Sequence, residues 1–484
     1  MHKLTKIVAT LGPATDTVEK IGKLYEKGMN VARLNFSHGN YDYFSKLIEN
    51  IRKIDEDICI ILDTKGPELR PNPFKGDSIE LEKDQEIFLE SSADPSDEST
   101  IRFDYPHLDE VEEGTIVYFD DGMIAAKVKS NDGQIKARVL NKGRLLNSKS
   151  VTFKGYDLKL PFLTDKDKED IKFGIKHGLD YVAASYVRSA EDIKELRDFL
   201  KEEDSNMGII AKIEHYFSVK NISGIIRASD GVMVARGDLG VEMDLEKVPL
   251  IQRGIISKCN FLGRPVIVAT QMLESMTYSP RPTRAEVSDV AHAILQGADA
   301  VMLSGETAWG NYPVESVKTM SKLASVYDER VKNVFDESLS DVDDAFTNEV
   351  GLFVTKAAYL ASKAIKTSAI LTPTESGYTA RKVSRFRPKC PVLAITRDKA
   401  VMRKLQLSWG VFPSFEPTKY SDFEKYVNDL VSVSMQKGFL QKGDMFVITA
   451  GHKLHETGTT NLLEIYKVDE ILERINSPKE EHFL

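Results

Sequence analysis

With 484 residues, the chain is too long for one ordinary core, and at about 150 residues per domain it is expected to form roughly three domains. A hydrophobic content of 42% and a charged content of 29% exclude a disordered chain, and a formal net charge of −9 disfavours non-specific binding of nucleic acid. The first residues contain no apolar signal core, and no apolar run approaches the roughly 18–20 residues of a membrane span. We therefore expect a cytoplasmic protein that binds neither nucleic acid nor membrane.

Eight short runs of apolar, mostly β-branched residues alternate with helical patterns along much of the chain. Such runs are typical of parallel strands that are buried on both faces. Eight strand–helix units predict an α/β fold of the (β/α)8 TIM-barrel type, which we assign to residues 1–67 and 161–340. The runs lie at residues 6–12, 30–37, 58–64, 181–187, 208–214, 231–236, 265–270 and 299–304.

The connection between the third and fourth runs is far longer than a normal βα crossover. Its short alternating strands and glycine-containing turns predict an inserted β-barrel domain at residues 68–160. An insertion here emerges on the C-terminal face of the main barrel, where such enzymes have their active sites, so we interpret it as a lid that excludes water. A second α/β rhythm predicts a smaller C-terminal domain at residues 341–484.

Polar side chains occur where the predicted barrel strands end. Arg33, Asn35 and Ser37 alternate with apolar residues, so the period of two places them on one side of the second strand. Guanidinium, amide and hydroxyl groups on a common face suit the binding of phosphate and cations. Asp63 ends the third strand, and Glu68 follows shortly after it. This crowding of polar groups at buried strand ends indicates a ligand site.

The fifth and sixth strands carry an ionisable cluster. Lys212 and Glu214 share a face of the fifth strand, and Asp238 follows the sixth. Between them, Gly237 lets the backbone approach a ligand closely. Two carboxylates on adjacent strands suit Mg²⁺ or Mn²⁺, whereas the alternative for the lysine and its acid is a structural ion pair.

Two hydroxyl residues, Thr270 and Ser304, end the seventh and eighth strands and either relay protons or cap the following helices. A metal site, a lysine, an arginine and a lid are the parts that phosphoryl transfer needs, because cations neutralise the phosphoryl oxygens and the lid excludes water. The sequence contains no Walker loop. The residues alone therefore indicate phosphoryl or enolate chemistry on a small anion.

The strand-end residues belong to longer motifs, which are KIVATLGPAT, VARLNFSHG, LDTKGPE, AKIE, SDGVMVARGDLG, VATQMLESM, PRPTRAEVSDVA and VMLSGETA. In their order and spacing these motifs closely resemble the pyruvate kinase family, and the resemblance covers essentially the whole chain. It implies a homotetrameric phosphotransferase that moves the phosphoryl group of phosphoenolpyruvate to ADP, giving pyruvate and ATP. It also implies Mg²⁺ (or Mn²⁺) and K⁺ as cofactors and a regulatory C-terminal domain.

The resemblance implies roles for four residues that face the phosphoryl group. Glu214 and Asp238 would be the protein ligands of the divalent ion. Lys212 would balance the charge on the phosphoryl group during transfer, and Arg33 would contact that group.

Five residues would hold the remainder of the substrate, by the same resemblance. The backbone around Ala235, Gly237 and Asp238 would bind the substrate carboxylate. Thr270 would lie on the face where the enolate is protonated, and Ser304 would belong to a water-linked relay.

The resemblance implies a second, monovalent cation held by Asn35, Ser37, Asp63 and Thr64. An acid in the KGPE segment accompanies K⁺ dependence in this family, whereas lysine accompanies independence. Glu68 occupies that position, so we expect activation by K⁺. The nucleotide side would include Pro13, Asn35, His38, Tyr43, Arg70 and Lys149.

In the C-terminal domain the stretch TPTESGYT resembles the phosphate-binding loop of the family. Family members that bind a sugar bisphosphate often have lysine where this chain has Glu375, so we expect a monophosphate effector or no strong activator. Hydroxyls and a glycine at a helix start can bind an anion, although a plain helix cap is the alternative. The loop residues are Thr374, Glu375, Ser376, Gly377 and Thr379, and residues 458–461 would face them.

Two other functions remain open from the sequence. One is a Mg²⁺-dependent TIM-barrel lyase or aldolase that acts on pyruvate enolates. The other is a non-catalytic metabolite sensor, which would require the loss of a catalytic residue. The ordered motifs argue against the lyase, and none of the expected catalytic residues is missing.

Overall fold

The computed structural model describes residues 3–131, 134–331, 350–420, 422–451 and 460–476. Eight parallel strands close into a barrel, in which neighbours follow chain order and the first strand pairs with the eighth. This confirms the predicted fold class. The barrel strands are Lys6–Thr10, Val31–Asn35, Cys59–Asp63, Tyr181–Ala184, Gly208–Ile213, Gly231–Ala235, Val266–Ala269 and Ala300–Leu303.

Alternate residues of the barrel strands join two different cores. Val8 belongs to the hydrophobic cluster inside the barrel, and its neighbour Ile7 belongs to the larger cluster between strands and helices. Both faces are buried, which is why the strands read as nearly continuous apolar runs.

Helices surround the barrel, and several begin at strong caps. Thr164, Ser189 and Thr283 each form a capping box, in which the cap side chain and the acid three residues later satisfy each other's backbone N–H groups. The helices are Val18–Glu26, Tyr41–Ile54, Asp165–Lys176, Ala190–Glu202, Tyr216–Lys220, Ile222–Ala228, Arg236–Glu242, Val248–Leu262, Arg284–Leu295, Gly305–Ala308 and Pro313–Tyr327.

The insert after the third barrel strand is built from eight strands around one core, namely Ser78–Leu81, Glu86–Ser91, Thr100–Phe103, Ile116–Phe119, Ile124–Asn131, Ile135–Val139, Gly143–Leu146 and Val151–Phe153. The β-barrel form of the insert stays a prediction, and the described strands are arranged in a six-stranded and a two-stranded sheet. The chain leaves the larger sheet at Asn141, whose side chain accepts from Ala125 N at 2.9 Å and donates to Met123 O at 2.8 Å. These bonds use backbone groups that a continued ladder would need.

The C-terminal unit contains a five-stranded sheet whose last strand is antiparallel to its neighbour. Its strands are Ala369–Pro373, Val392–Thr396, Val411–Phe415, Met445–Gly451 and Thr460–Lys467, and its helices are Val350–Ile365, Tyr378–Ser384, Lys399–Leu405, Phe423–Gln436 and Val468–Asn476. The predicted boundary at 340/341 and residues 458–459 lie outside the described ranges. None of the described helices combines the length and apolar character that a membrane crossing requires.

The N-terminal ends of the barrel strands form a floor against which the C-terminal unit packs. Asp180 and Asp299 accept backbone N–H groups from the starts of neighbouring strands, at 2.9 and 3.1 Å. Each also pairs with an arginine of the C-terminal unit, Asp180 with Arg403 at 2.7 Å and Asp299 with Arg387 at 2.8 Å. The insert contacts the opposite end of the barrel, where Lys154 pairs with Asp244 at 2.8 Å.

Candidate active site

Lys212 lies near the end of the fifth barrel strand with its ammonium group inside a ring of acceptors. Nζ donates to Ser185 Oγ at 2.6 Å and lies 3.2 Å from both Asp63 Oδ1 and Glu214 Oε2. Burial alone would lower the pKa of Lys212, but Asp63, Glu214 and Asp238 together hold the pKa above its ordinary value. The side chain is therefore a buried, permanent cation.

Arg33 and Lys212 share the carboxylate of Asp63. Arg33 Nε donates to Asp63 Oδ2 at 2.7 Å, and Arg33 Nη1 donates to Thr10 Oγ1 at 3.0 Å. Although burial opposes it, the attraction of the two cations lowers the pKa of Asp63. Asp63 thus stays charged and fixes the position of both cations.

Glu214 supplies a carboxylate that the protein satisfies only in part. Oε1 accepts from Tyr186 N at 2.7 Å, whereas Oε2 is buried without a hydrogen bond among the described residues. Burial raises the pKa of Glu214 to about 7, and the nearby Asp238 adds to this effect against the pull of Lys212. Asp238 lies at the accessible edge of the same cleft. Desolvation of its carboxylate raises the pKa of Asp238 against the pull of Lys212.

These two carboxylates have the character of ligands for a hard divalent ion. A bound cation would stabilise their charged forms and contact Glu214 Oε2, which has the Lys212 ammonium 3.2 Å away but no hydrogen bond among the described residues. No group of three or more Asp, Glu, His or Cys side chains suited to a metal occurs within the described ranges. Two carboxylates would leave the other coordination positions to water and substrate oxygens, as Mg²⁺ prefers.

Thr270 is held at the rim in a strained conformation. Its φ of 68° is left-handed, which is unfavourable for a β-branched residue. The hydroxyl donates to Ala269 O at 2.6 Å and accepts from Gly237 N at 2.8 Å. Thr270 thus contacts the segment from Ala235 to Asp238, which is expected to bind the substrate carboxylate. The contact is the hydrogen bond that the Gly237 amide donates to the Thr270 hydroxyl.

Ser304 lies at the end of the eighth strand and presents a hydroxyl without a partner among the described residues. Its backbone N–H donates to Glu306 Oε2 at 2.7 Å, and Glu306 Oε1 accepts from Leu273 N at 3.0 Å. Glu306 therefore ties the seventh and eighth strand ends together, and the Ser304 hydroxyl remains available.

The residues expected to hold a monovalent cation lie at the ends of adjacent strands. Asn35 and Asp63 are register partners. Asn35 Oδ1 accepts from Ser37 N at 3.2 Å, and Thr64 Oγ1 donates to Ala183 O at 3.3 Å. Ser37 is exposed. The structure thus brings amide, carboxylate and hydroxyl oxygens to one edge of the barrel.

Glu68 and Arg70 contact each other in the segment that leads into the insert. Arg70 Nε donates to Glu68 Oε2 at 3.0 Å, and Lys65 Nζ lies 3.8 Å from the same oxygen. Arg70 also donates to Ser148 O, next to Lys149, which itself pairs with Asp120 at 2.8 Å. The pair therefore links the barrel mouth to the insert.

Of the other residues expected on the nucleotide side, Pro13 and His38 lie on loops after the first and second barrel strands, and Tyr43 lies in the helix Tyr41–Ile54. Pro13 and His38 are exposed. Tyr43 is half-buried, and its hydroxyl has no hydrogen bond within the described parts of the chain.

Two residues of the site escaped the sequence reasoning. Ser185 accepts from Lys212 and donates to Thr64 O at 2.7 Å, and the backbone N–H of Tyr186, at a left-handed φ of 56°, binds Glu214. Both directly follow the fourth barrel strand, for whose end no polar residue was singled out. The position of Ser185 at that end was the available signal.

The expected effector loop precedes the helix Tyr378–Ser384. Thr374 Oγ1 accepts from Gly377 N at 3.0 Å, and Gly377 has a left-handed φ of 77°. Both oxygens of Glu375 accept from Arg397, each at 3.2 Å. Ser376 O accepts from Arg381 at 3.2 Å, and Thr379 and Thr460 share a hydrogen bond of 2.7 Å. The acid that was expected to repel a bisphosphate is thus paired with an arginine.

Comparison with known proteins extends these observations to the whole chain. Residues 2–317 match the family described as "Pyruvate kinase, barrel domain", and residues 353–466 match "Pyruvate kinase, alpha/beta domain". A pyruvate kinase of Geobacillus stearothermophilus is 44% identical over 98% of this chain and 81% of its own length. One from Bacillus licheniformis is 45% identical over 97% and 81%, and one from Staphylococcus aureus (strain USA300) is 43% identical over 96% and 81%.

Proposed function

Because the chain belongs to the pyruvate kinase family and is therefore a phosphotransferase acting on phosphoenolpyruvate and ADP, we propose that Lys212, Glu214 and Asp238 carry this chemistry. The observation that carries the proposal is the buried ammonium group of Lys212, which lies 3.2 Å from both Glu214 Oε2 and Asp63 Oδ1. Membership of the family sets aside the lyase and sensor alternatives.

Glu214 and Asp238 would hold Mg²⁺ or Mn²⁺, which when bound supplies positive charge to the oxygens of phosphoenolpyruvate. Lys212 and Arg33 would offer their N–H groups to the phosphoryl oxygens. Asp63 keeps both cations fixed before substrate arrives, so little reorganisation is needed during transfer. The phosphoryl group then passes to the terminal oxygen of ADP, leaving the enolate of pyruvate.

The enolate must take up a proton to become pyruvate. Thr270 and Ser304 lie at the strand ends beside the cleft, and the unpartnered hydroxyl of Ser304 can pass a proton through water. The substrate carboxylate would bind the backbone from Ala235 to Asp238. Because the Gly237 amide already contacts Thr270, we propose that substrate binding and the position of this hydroxyl are linked.

Potassium would bind at Asn35, Ser37, Asp63 and Thr64, beside the divalent site. The support is the adjacency of Asn35 and Asp63 in the sheet and the preference of hard cations for oxygen ligands. Position 68 holds a glutamate, so no lysine side chain at that position supplies the positive charge that K⁺ would provide. We therefore propose activation by K⁺.

ADP would enter between the barrel mouth and the insert, against Pro13, Asn35, His38, Tyr43, Arg70 and Lys149. The proposed division assigns residues 1–67 and 161–340 to the barrel, 68–160 to the lid and 341–484 to the regulatory domain. Closure of the lid would exclude water from the phosphoryl group.

Residues 374–379 would bind a phosphorylated effector. Thr374, Ser376 and Thr379 supply hydroxyls, and Gly377 permits the left-handed turn. The ion pair between Glu375 and Arg397 leaves little net positive charge in the loop, which favours a monophosphate over a bisphosphate. We further propose a cytoplasmic homotetramer.

A coupled assay tests the proposal. ATP should form from ADP and phosphoenolpyruvate when Mg²⁺ and K⁺ are both present, and the rate should fall sharply when tetramethylammonium replaces K⁺. The absence of ATP under the complete conditions would contradict the proposed function. Equal rates with and without K⁺ would contradict the monovalent site alone.

A further inference from the structure

Two consecutive residues at the rim of the barrel adopt left-handed backbone conformations. Thr270 directly follows the seventh barrel strand and has a φ of 68°, and the next residue, Gln271, has a φ of 53°. Neither residue is a glycine, so the conformation persists only where the surrounding structure holds it. The turn that carries the Thr270 hydroxyl therefore needs a contact that fixes its backbone.

The side chain of Arg236 supplies this contact from the neighbouring strand. Arg236 directly follows the sixth barrel strand and begins the helix Arg236–Glu242. Its Nη2 donates to Thr270 O at 2.7 Å, to Gln271 O at 3.2 Å and to Met272 Sδ at 2.9 Å. One nitrogen atom thus contacts three consecutive residues, of which the first two are left-handed.

A carboxylate on another helix fixes the other side of the same guanidinium group. Asp289, in the helix Arg284–Leu295, accepts from Arg236 Nη1 at 2.8 Å through Oδ1, and its Oδ2 lies 2.7 Å from that nitrogen. The Arg236 side chain is only 10% exposed. Because the guanidinium group is planar, a carboxylate that holds one nitrogen also orients the N–H groups that face residues 270–272.

The backbone beside Arg236 holds the hydroxyl of Thr270. Gly237 N donates to Thr270 Oγ1 at 2.8 Å, and that hydroxyl donates to Ala269 O at 2.6 Å. Residues 236 and 237 therefore contact Thr270 at two points, its carbonyl oxygen and its hydroxyl group. A shift of the turn would move the hydroxyl away from the position that these contacts define.

We propose that Arg236 is a positioning residue for the protonation of the enolate and acts through Thr270. The inference rests on the proposed function, in which Thr270 lies on the face where the enolate of pyruvate takes up its proton. In that step C3 takes a proton that the water-linked relay supplies, and the electron pair of the enolate double bond forms the new C–H bond. Loss of Arg236 should therefore slow protonation more than phosphoryl transfer.

Exchange of the C3 protons of pyruvate tests this role. The enzyme is mixed with pyruvate, ATP, Mg²⁺ and K⁺ in deuterium oxide, and nuclear magnetic resonance follows the loss of the C3 proton signal. Rapid-quench measurement of ATP formed from ADP and phosphoenolpyruvate in a single turnover reports phosphoryl transfer alone. Arg236→Met should slow the exchange about tenfold more than it slows ATP formation, because charged hydrogen bonds to the turn are lost.

Asp289→Asn provides a second variant, which keeps Arg236 but removes the charge that fixes it, and it should change the ratio of the two rates in the same direction. Arg197→Met is the matched control, since Arg197 pairs with Asp230 at 2.8 Å and donates to Ala228 O at 3.2 Å at the opposite end of the barrel. It should leave the ratio unchanged. A wild-type ratio in both Arg236→Met and Asp289→Asn would overturn the inference, as would an equal change in Arg197→Met.

A double variant separates this inference from the proposed function. Thr270→Ala should itself slow the exchange, and wild-type exchange in that variant would contradict the proposed role of Thr270. If Arg236 acts through Thr270, adding Arg236→Met to Thr270→Ala should slow the exchange less than about twofold further. A full additional loss of about tenfold would overturn the positioning role of Arg236 and leave the role of Thr270 intact.

Discussion

A single ammonium group at the barrel mouth contacts two carboxylates and a hydroxyl. Lys212 would lose its proton more easily if burial acted alone, and the attraction of Asp63 and Glu214 reverses that tendency. Ser185 supplies the third contact and connects it to the backbone of Thr64. At the scale of residues, the position of the Lys212 ammonium group thus depends on an uncharged neighbour, Ser185, as well as on the two carboxylates.

Ser185→Ala should lower kcat about tenfold with little change in KM for phosphoenolpyruvate. The hydroxyl positions Lys212, and losing a hydrogen bond to a charged group is worth about 1.5–3 kcal/mol. Steady-state kinetics would measure the effect. Ser229→Ala is the matched control, because that buried hydroxyl has no hydrogen bond among the described residues. A rise in KM at constant kcat would contradict the positioning role.

Metal binding should depend on pH because the pKa of Glu214 is raised to about 7. Below pH 7 the carboxyl holds a proton that the metal must displace, so affinity for Mn²⁺ should fall about tenfold per pH unit on acidification. Above pH 7 it should level off. Electron paramagnetic resonance of free Mn²⁺ measures this between pH 5.5 and 8. A Glu214→Gln variant should bind weakly at every pH, and a flat wild-type profile would contradict the assignment.

At the scale of elements, capping residues decide where helices and site loops begin. Thr164 caps the helix Asp165–Lys176, and its partner Asp167 also accepts from Gly66 N at 3.1 Å. Gly66 belongs to the loop that follows the third barrel strand and leads to Glu68. This cap therefore holds a catalytic loop as well as a helix.

Thr164→Ala should lower the free energy of unfolding by about 1 kcal/mol through loss of the cap. Chemical denaturation followed by circular dichroism would show the change as a lower midpoint. Thr17→Ala, which removes the N-cap of the helix Val18–Glu26, should destabilise similarly without changing the K⁺ dependence of turnover. An unchanged midpoint for Thr164→Ala would contradict the importance of the capping box.

The barrel strands could be predicted from the sequence, because all eight are buried on both faces and therefore consist of nearly continuous apolar runs. The period of two also placed Lys212 and Glu214 together. The division of the insert's strands into two sheets could not be predicted, because contacts such as that of the Asn141 side chain with Ala125 N join residues distant in the sequence. The pairing of Glu375 with Arg397 could not be predicted, since the partners are brought together only by neighbouring strands of the sheet.

At the scale of the whole molecule, buried ion pairs join the barrel floor to the C-terminal unit. Arg387 and Asp299 are 3% and 5% exposed at their side chains, and Arg387 also lies 5.3 Å from the ring of Trp409. Together with the pair of Arg403 and Asp180, this contact couples the C-terminal unit to the barrel within the described ranges.

Arg387→Met should destabilise the protein by about 3–5 kcal/mol, because it leaves the charge of Asp299 buried and unpaired. Thermal unfolding by calorimetry would detect it. Arg474→Met is the control, since its pair with Glu424 at 3.5 Å is largely exposed and should contribute less than about 1 kcal/mol. Equal effects of the two substitutions would contradict the anchoring role of Arg387.

The central claim, that Lys212 neutralises the phosphoryl group in transfer, is tested most directly by Lys212→Met. Turnover of phosphoenolpyruvate and ADP should fall by at least about 10²–10³-fold, because a charge that stabilises the transition state is removed. Mn²⁺ binding, measured by electron paramagnetic resonance, should remain within a few-fold of wild type. Lys172→Met, which removes an exposed lysine paired with Glu203 at 2.9 Å, should leave turnover unchanged. Wild-type turnover in Lys212→Met would contradict the account.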